Sequence, residues 1–412
     1  MIELKGAFCK DVKIFTDNVE ESALSVIYDM ANCSIFQYKK IRIMPDCHNG
    51  SGTVVGFSST IDIEDEFETI NPDYIGSDIG CSVSAIFFDK PMPDEFIPEF
   101  EHKIRKEIPF GNEINQKKKI EPKEIIKRFR KVMNSLASAC PIFLPYIINF
   151  KNETDLEKWC KRINIEYGTF LKSLGTVGGG NHFNEYDVNE ELGKYCITIH
   201  CGSRNLGLKV YKYWHKIANN PKKSIKQNTL EGDDFKGYIV DIALAQEYAR
   251  INHDVIIDTI ANIYKKMVKG CKIIDNIFTM HNYIDYNALT PILRKGAIRS
   301  YKGEQMIIPF NMRDGIAICE GKSNEDWNFT APHGAGRIMS RAKAKEILNV
   351  EEYKKQLTDN NVYSMTANET TLDEAPDAYK PMNEIVKLIE PTVDILYFMK
   401  PKMNIKAAVV SE

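Results

Sequence analysis

Apolar residues along this chain fall into short blocks and alternations bounded by Gly, Pro, Asn and Asp, the pattern of buried strands closed by turns. Residues 41–44, 53–57, 82–88, 195–200, 298–301, 306–309 and 316–319 each read as a strand. Residues 1–60 as a whole read as short strands with one helix. Two stretches change to helical spacing: 122–139, and a longer one over about 240–268, with Pro221 well before it and Gly270 closing it. Residues 377–412 read as a helix followed by an extended end at 401–407. A hairpin centred near Glu191 would place His182 and His200 opposite each other, with Cβ atoms about 4.5–5.5 Å apart. Strands and helices mix without βαβ regularity, and no repeat stands out. The pattern therefore predicts an α+β fold, one domain over residues 1–412, with 92–175 as a helical insertion or peripheral region.

Composition narrows the class. The chain has 412 residues, 43% of them hydrophobic and 27% charged, ample for a large packed core. A net charge of −3 gives no global field for nucleic acid, so any anion site must be local. The one basic run, from Lys117 through Lys131, fits an RNA face but equally the solvated side of a helix. The start lacks an apolar leader and no window approaches a membrane span. Ten cysteines without a CxxC pair read as reduced thiols, and with them the expected location is the cytoplasm.

Candidate chemistry concentrates in the turns. The run A-P-H-G-A-G-R-I-M-S-R, residues 331–341, sets His333 between a proline and two glycines. Gly334 and Gly336 admit a ligand close to the backbone. Should a helix start here, Arg337 and Arg341 would face one anion from its N-terminus; the alternative is a glycine turn with a surface histidine. Residues 45–52 read as a polar turn in which Asp46, Cys47 and His48 could each be a ligand; the alternative, preferred for Cys47, is a tight turn capped by Asp46. Asp78 and Cys81, flanked by Gly76 and Gly80, suit either a metal or an Asx-turn beside a buried cysteine. His182 follows the triple glycine 178–180, His200 ends a strand, and His281 follows another. With Asp78 and Cys81 these histidines make a plausible two-metal site with a bridging thiolate, and ligand softness alone points to zinc.

The segments M-P-D-C-H-N-G, S-D-I-G-C, G-G-G-N-H-F-N-E, H-C-G-S-R, H-N-Y, I-P-F-N-M-R-D-G, A-P-H-G-A-G-R-I-M-S-R and L-D-E-A-P-D-A-Y-K run in this order from Met44 to Lys380, and N-I-K-A extends them to Ala407. Together they resemble the RtcB family of GTP-dependent RNA ligases. The resemblance implies a large mixed-sheet fold. It implies joining of an RNA 3′-phosphate or 2′,3′-cyclic phosphate end to a 5′-hydroxyl end. Two Mn2+ ions would be held by Asp78, Cys81, His182, His200 and His281. His333 would attack the α-phosphate of GTP and carry GMP covalently, GMP would pass to the RNA 3′-phosphate, and the 5′-hydroxyl would displace it. The family's guanylate contacts fall on Asn181, His182, Phe183, Asn184, Glu185, His281, Asn282, Pro309, Phe310, Asn311, Met312, His333, Gly334, Ala335, Gly336 and Lys406. An archease-type activator is the implied protein partner, and a monomer the implied state.

Two positions depart from the pattern. Ser51 stands where many members have lysine, and Ile316 where a serine commonly touches the nucleotide. Arg204 follows His200 by four residues, in a turn opened by Gly202. It is expected to point into the cleft and hold the RNA 3′-phosphate, since a guanidinium suits a phosphate monoester; the alternative is an ion pair with a nearby carboxylate. Two other functions stay open. A dinuclear phosphoesterase leaves His333, Lys406 and the triple glycine without work, and a non-catalytic RNA-end or metal-binding protein forms no covalent adduct.

Overall fold

Fifteen strands form among residues 1–50, 52–220, 228–286, 288 and 290–408, which a computed structural model describes. They are β1 (Ile2–Leu4), β2 (Asp11–Ile14), β3 (Lys40–His48), β4 (Val55–Thr60), β5 (Ser82–Phe88), β6 (Phe183–Asn189), β7 (Lys194–Cys201), β8 (Ile273–Met280), β9 (Asn282–Asp285), β10 (Ile292–Lys295), β11 (Ala297–Arg299), β12 (Gln305–Asn311), β13 (Gly315–Gly321), β14 (Thr330–Pro332) and β15 (Val393–Lys406). A six-stranded sheet runs β1-β2-β3-β4-β10-β9, a seven-stranded sheet runs β12-β13-β15-β6-β7-β5-β8, and β11 pairs with β14. All ladders are antiparallel except β2–β3, so the fold is α+β, as the pattern requires, and not a Rossmann sheet.

The seven-stranded sheet curls until its edges meet, and Ile307 N on β12 donates to the Thr279 hydroxyl on β8 at 3.1 Å. Strand β5 shows why it holds. Every one of its residues is buried, and alternate side chains go to different cores. Val83, Ala85 and Phe87 fill the inside of the curl with Ile277, Ile307, Ile316, Ile318 and Met399. Ile86 and Phe88 face outward, against Phe100, Ile256, Ile260 and Tyr264 of the covering helices.

Ten α-helices cover these sheets: α1 (Glu21–Ala31), α2 (Ile97–Glu107), α3 (Pro122–Ala139), α4 (Glu153–Arg162), α5 (Tyr167–Lys172), α6 (Asn205–Ala218), α7 (Gly232–Met267), α8 (Arg341–Ile347), α9 (Val350–Asp359) and α10 (Met382–Ile389). Helix α7, 36 residues long, starts well before the expected Val240. Asp233 and Asp234 open its first turn and Lys265 and Lys266 close its last, matching the helix dipole at both ends. Helices α3 and α4 contribute Ile125, Phe129, Leu156 and Trp159 to the same core as α7.

Three expectations need correction. Strand β3 runs through Pro45 to His48, where a turn was expected; an irregular register between Ile43 and His48 accommodates the proline. Strand β12 likewise continues to Asn311. In the β6–β7 hairpin the residue opposite His200 is Phe183, one position off the expected His182. Ser51 and Pro221 lie outside the described residues.

Asp241, fully buried on α7, accepts hydrogen bonds from Trp159 Nε1 at 2.9 Å and Trp214 Nε1 at 2.7 Å, and pairs with Arg162. It joins α4, α6 and α7 through one carboxylate. Replacing Asp241 by Ala strands two indole N–H groups and a guanidinium, a loss expected to be about 3 kcal/mol or more. Urea unfolding should show it, with Asp241→Asn, which keeps an acceptor, losing less.

Candidate active site

The sheet order assembles a cluster of candidate metal ligands from residues far apart in sequence. Strand β5 lies between β7 and β8, with Ser82 opposite Cys201 on one side and Met280 on the other. The residue before β5, the end of β7 and the residue after β8 therefore share one edge of the sheet. Those are Cys81, His200 and His281; His182, just before β6, joins from the next strand. Cys81 Sγ lies 3.3 Å from His182 Nε2 and 3.2 Å from His200 Nε2, and His200 Nε2 lies 3.3 Å from His281 Nε2. Asp78 Oδ2 is 3.5 Å from His182 Nε2. The result is two overlapping groups, Asp78–Cys81–His182 and Cys81–His200–His281, with the ligand atoms of each within 4.8 Å of one another.

The surroundings prepare these atoms for a cation. His200 Nδ1 meets the Asn181 carbonyl at 3.1 Å, which puts the proton on Nδ1 and leaves Nε2 free. Burial pushes the pKa values of His200 and His281 well below the usual imidazole range, so both are neutral. Burial raises Asp78, but the hydrogen bond to His182 prevails and holds it at about 2. Burial and the Asp78 charge push the Cys81 thiol far up, so a metal must displace its proton. Nδ1 of His182 and of His281 are buried without partners among the described residues. One thiol, three imidazoles and one carboxylate, converging at one edge of the sheet, fit divalent cations, with Cys81 common to both groups. Asn282 braces the turn: its Nδ2 donates to Asp78 O at 3.1 Å and its Oδ1 accepts from Gly296 N at 2.7 Å.

His333 comes to this cluster through β14. Ala297 on β11 pairs with Pro332, and Ala297 N bonds to the His281 carbonyl at 3.1 Å. The His333 and His281 rings end 4.9 Å apart, centre to centre. Asp46 of β3 receives both the His333 backbone N–H, at 3.2 Å, and Nδ1, at 2.6 Å, on the same oxygen. Nδ1 therefore carries a proton, and Nε2 is the available lone pair. Close packing enforces the contact. Gly336 has φ +74°, and a Cβ there would overlap the Asp46 carbonyl. His48, its Nδ1 3.0 Å from Asp46 O, is pushed down by burial to about 4.

The helix expected around His333 starts later, at Arg341, with Ser340 as its cap. Arg337 and Arg341 do not share a helix face. Arg337 bonds Glu374 and the Asp373 carbonyl, and Arg341 bonds Asp373 and Glu374. Glu374 thus gathers the cations expected to face an anion.

A cleft of about 580 Å³ opens beside His333. Of the expected guanylate contacts, Asn181, Phe183, Glu185, Pro309, Phe310, Asn311 and Met312 line it, with His333, Gly334, Ala335, Gly336 and Lys406. Four do not. His182 and His281 stay in the metal cluster. Asn184 turns to the opposite face of β6, where both amide atoms are buried without partners. Ile316 packs inside the curl, so its side chain lies in the core, away from the cleft. At the far wall Lys406 Nζ lies 3.0 Å from Glu374 Oε2 and 5.3 Å above the Phe183 ring. Burial works against the Glu374 charge, but Lys406 and Arg341 hold its pKa at about 2. Tyr379 donates to Glu374 at 2.6 Å. Glu374, Tyr379 and Asn404 line this cleft though the residue types alone did not single them out, and Asp46 was expected as a turn cap or a ligand, not as the partner of His333. All four sit inside the quoted motifs, which was the available signal.

Arg204 does not line the cleft. Its Nε bonds the Thr176 hydroxyl at 3.0 Å and its Nη2 the Gly111 carbonyl at 2.5 Å, and no carboxylate pairs with it among the described residues. Its guanidinium and His182 crowd Gly178, where a Cβ would overlap both. Its own backbone is left-handed, φ +57°, a conformation a side chain tolerates only when its surroundings enforce it.

A sequence profile of the family described as tRNA-splicing ligase RtcB matches residues 27–407. An RNA-splicing ligase RtcB1 of Escherichia coli is 27% identical, across 96% of this chain and 97% of that protein. A tRNA-splicing ligase RtcB of Aeropyrum pernix is 25% identical across 84% and 83%. An RNA-splicing ligase RtcB homolog 2 of Entamoeba dispar is 26% identical across 89% and 80%. With the family profile spanning nearly the whole chain and the motif residues gathered around one cleft, the protein belongs to the RtcB family of RNA ligases.

Proposed function

We propose that this protein seals RNA 3′-phosphate or 2′,3′-cyclic phosphate ends to 5′-hydroxyl ends, using GTP and Mn2+. The observation that carries this reading is His333, its Nδ1 fixed by Asp46 and its ring 4.9 Å from His281 of the metal cluster. Nε2 attacks the α-phosphorus of GTP; an N–P bond forms and pyrophosphate leaves. As the nitrogen becomes cationic, Asp46 stabilises the ring through Nδ1–H. The guanylate then passes to the RNA 3′-phosphate oxygen, which regenerates His333. The RNA 5′-hydroxyl attacks the activated phosphate, forming the phosphodiester and releasing GMP. Asp78, Cys81, His182, His200 and His281 would hold two divalent ions, which when bound supply charge neutralisation to the phosphates. Glu185 and Lys406 at the far wall grip the guanine edge.

Arg204 is proposed to hold the 3′-phosphate at transfer. Support comes from its place beside His182 and from Nη1, which makes no hydrogen bond among the described residues. The protein acts as a monomer in the cytoplasm, with an archease-type activator as its partner. No helix among the described residues is long and apolar enough to cross a membrane.

Incubation with α-labelled GTP and Mn2+ tests the core of this reading. Wild type should carry label and His333→Ala none, with metal content unchanged; label on the variant at full yield sinks the assignment. Asp46→Ala should slow labelling about 100-fold or more, since it frees the ring to rotate and removes its counter-charge. A phosphoesterase or a passive RNA-end binder would not be labelled at all.

Metal analysis addresses the cluster. Cys81→Ala should lose more bound metal than any single histidine variant, because Cys81 alone belongs to both ligand groups. Full occupancy in Cys81→Ala would refute a shared thiolate.

For Arg204, a preformed adduct chased with 3′-phosphorylated RNA isolates the transfer step. Arg204→Ala should form the adduct yet transfer guanylate tens- to hundreds-fold more slowly, about 2–4 kcal/mol in barrier. A chase at the wild-type rate would mean that Arg204 only supports the loops it bonds.

A further inference from the structure

Behind Glu185 the cleft wall hides a second carboxyl that the chemistry above does not use. Glu185 and Asp187 are two apart on β6, so both side chains leave the same face of the sheet. Glu185 is 2% exposed and Asp187 fully buried. Across the two ladders Glu185 pairs with Thr198 on β7 and Asn404 on β15. Asn404 Nδ2 donates to Glu185 Oε2. Thr198 Oγ1 donates to Asp187 Oδ2 at 2.5 Å. Asp187 Oδ1 is left buried with no donor in reach. Its neighbours are the Glu185 carboxyl, in hydrogen-bonding contact, and the Cys196 thiol, which burial keeps protonated.

Two buried carboxyls in contact cannot both stay ionised, and an orphaned carboxylate oxygen in a dry core is costly. The pair must hold a proton. Lys406, the nearby cation, acts on Glu185, whereas the charge that bears on Asp187 is that of Glu185 itself. The charge therefore belongs on Glu185 and the proton on Asp187. Burial and the Glu185 charge push Asp187 well above the carboxylate range, in agreement.

We propose that Asp187 is a neutral carboxylic acid whose Oδ1–H donates to Glu185, and that this hydrogen bond fixes the cleft's preference for guanine. The proposal rests on the reading of the cleft as a GTP site. A carboxylate has about four acceptor positions. Asn404 and Asp187 occupy two from the protein side, which orients the other two toward the cleft. Guanine offers a matched pair of donors there, N1–H and the 2-amino group. Adenine turns an unprotonated N1 toward the same oxygens, and hypoxanthine lacks the amino group. Asp187 is a positioning residue: it touches Glu185, not the nucleotide. Its effect should fall on nucleotide affinity and base choice, not on the maximal rate of attack by His333.

The test is adduct formation on His333 as a function of GTP, ITP and ATP concentration. Asp187→Ala should raise the half-saturating GTP concentration about tenfold or more, narrow the preference for GTP over ATP, and leave the maximal rate within about threefold. Asp187→Asn keeps an N–H for Glu185 and a carbonyl for Thr198, so it should remain within about threefold of wild type. Thr198→Val, which unpins the Asp187 carboxyl, should show a smaller loss than Asp187→Ala in the same direction. Infrared difference spectra at neutral pH give a readout free of folding effects: a protonated carboxyl band, present in wild type and absent in Asp187→Asn. If Asp187→Asn is as impaired as Asp187→Ala, or the band is missing, the inference is overturned while GTP labelling of the wild type still stands. A wild type that GTP fails to label overturns both.

Discussion

The site depends on one constraint of sheet geometry: β5 is hydrogen-bonded on both sides, antiparallel to β7 and to β8. Two antiparallel ladders sharing a central strand bring the start of that strand level with the ends of both neighbours. Cys81 precedes β5, His200 lies at the end of β7 and His281 follows β8, so the three meet at one edge. A one-residue slip in either ladder would send the ligands to opposite faces. Apolar packing on both faces of β5 resists such a slip, because Val83, Ala85 and Phe87 on one side and Ile86 and Phe88 on the other would have to exchange cores. The metal cluster is thus held in register by hydrophobic burial more than by its own bonds.

The proposed nucleophile reaches the cluster by another route, and this separates the two halves of the proposed chemistry. His333 hangs from the short β11–β14 pair, and its orientation comes from Asp46 on the six-stranded sheet. The candidate metal ligands and the proposed nucleophile therefore rest on different sheets, which meet at the β11 backbone bond to His281. Loss of metal need not disturb the Asp46–His333 pair, and loss of that pair need not release metal.

Charge in the cleft is arranged by confinement. On one wall Glu374 collects Lys406, Arg337, Arg341 and the Tyr379 hydroxyl. Beside this group, on the neighbouring strand β6, Glu185 faces the same cleft with Asn404 and Asp187 behind it. A ligand entering the cleft meets oriented dipoles and charges that need little reorganisation, the condition under which such groups discriminate best.

How much of this was legible in the sequence follows from what each level of structure controls. Alternation and turn residues located most strands, because burial of one face is a local requirement that period two records. The helical spacing of Pro122–Ala139 was readable to the residue. The order of motifs identified the family and named the candidate ligands, since histidines and cysteines beside glycine turns keep their chemical identity wherever the fold puts them. What the chain could not reveal alone were contacts between distant strands. Asp46 looked like a turn cap, yet β3 stays extended and carries it to His333, 287 residues away. Arg337 and Arg341 looked free for an anion until Asp373 and Glu374 folded against them. His182 met His200 despite a register one residue off, because ring size bridges an error that pairing rules count as complete. Residue types and local periodicity determined which groups were available. The curl of the sheet decided which oxygen, nitrogen and sulfur atoms face one another, because those distances depend on side chains packed hundreds of residues apart.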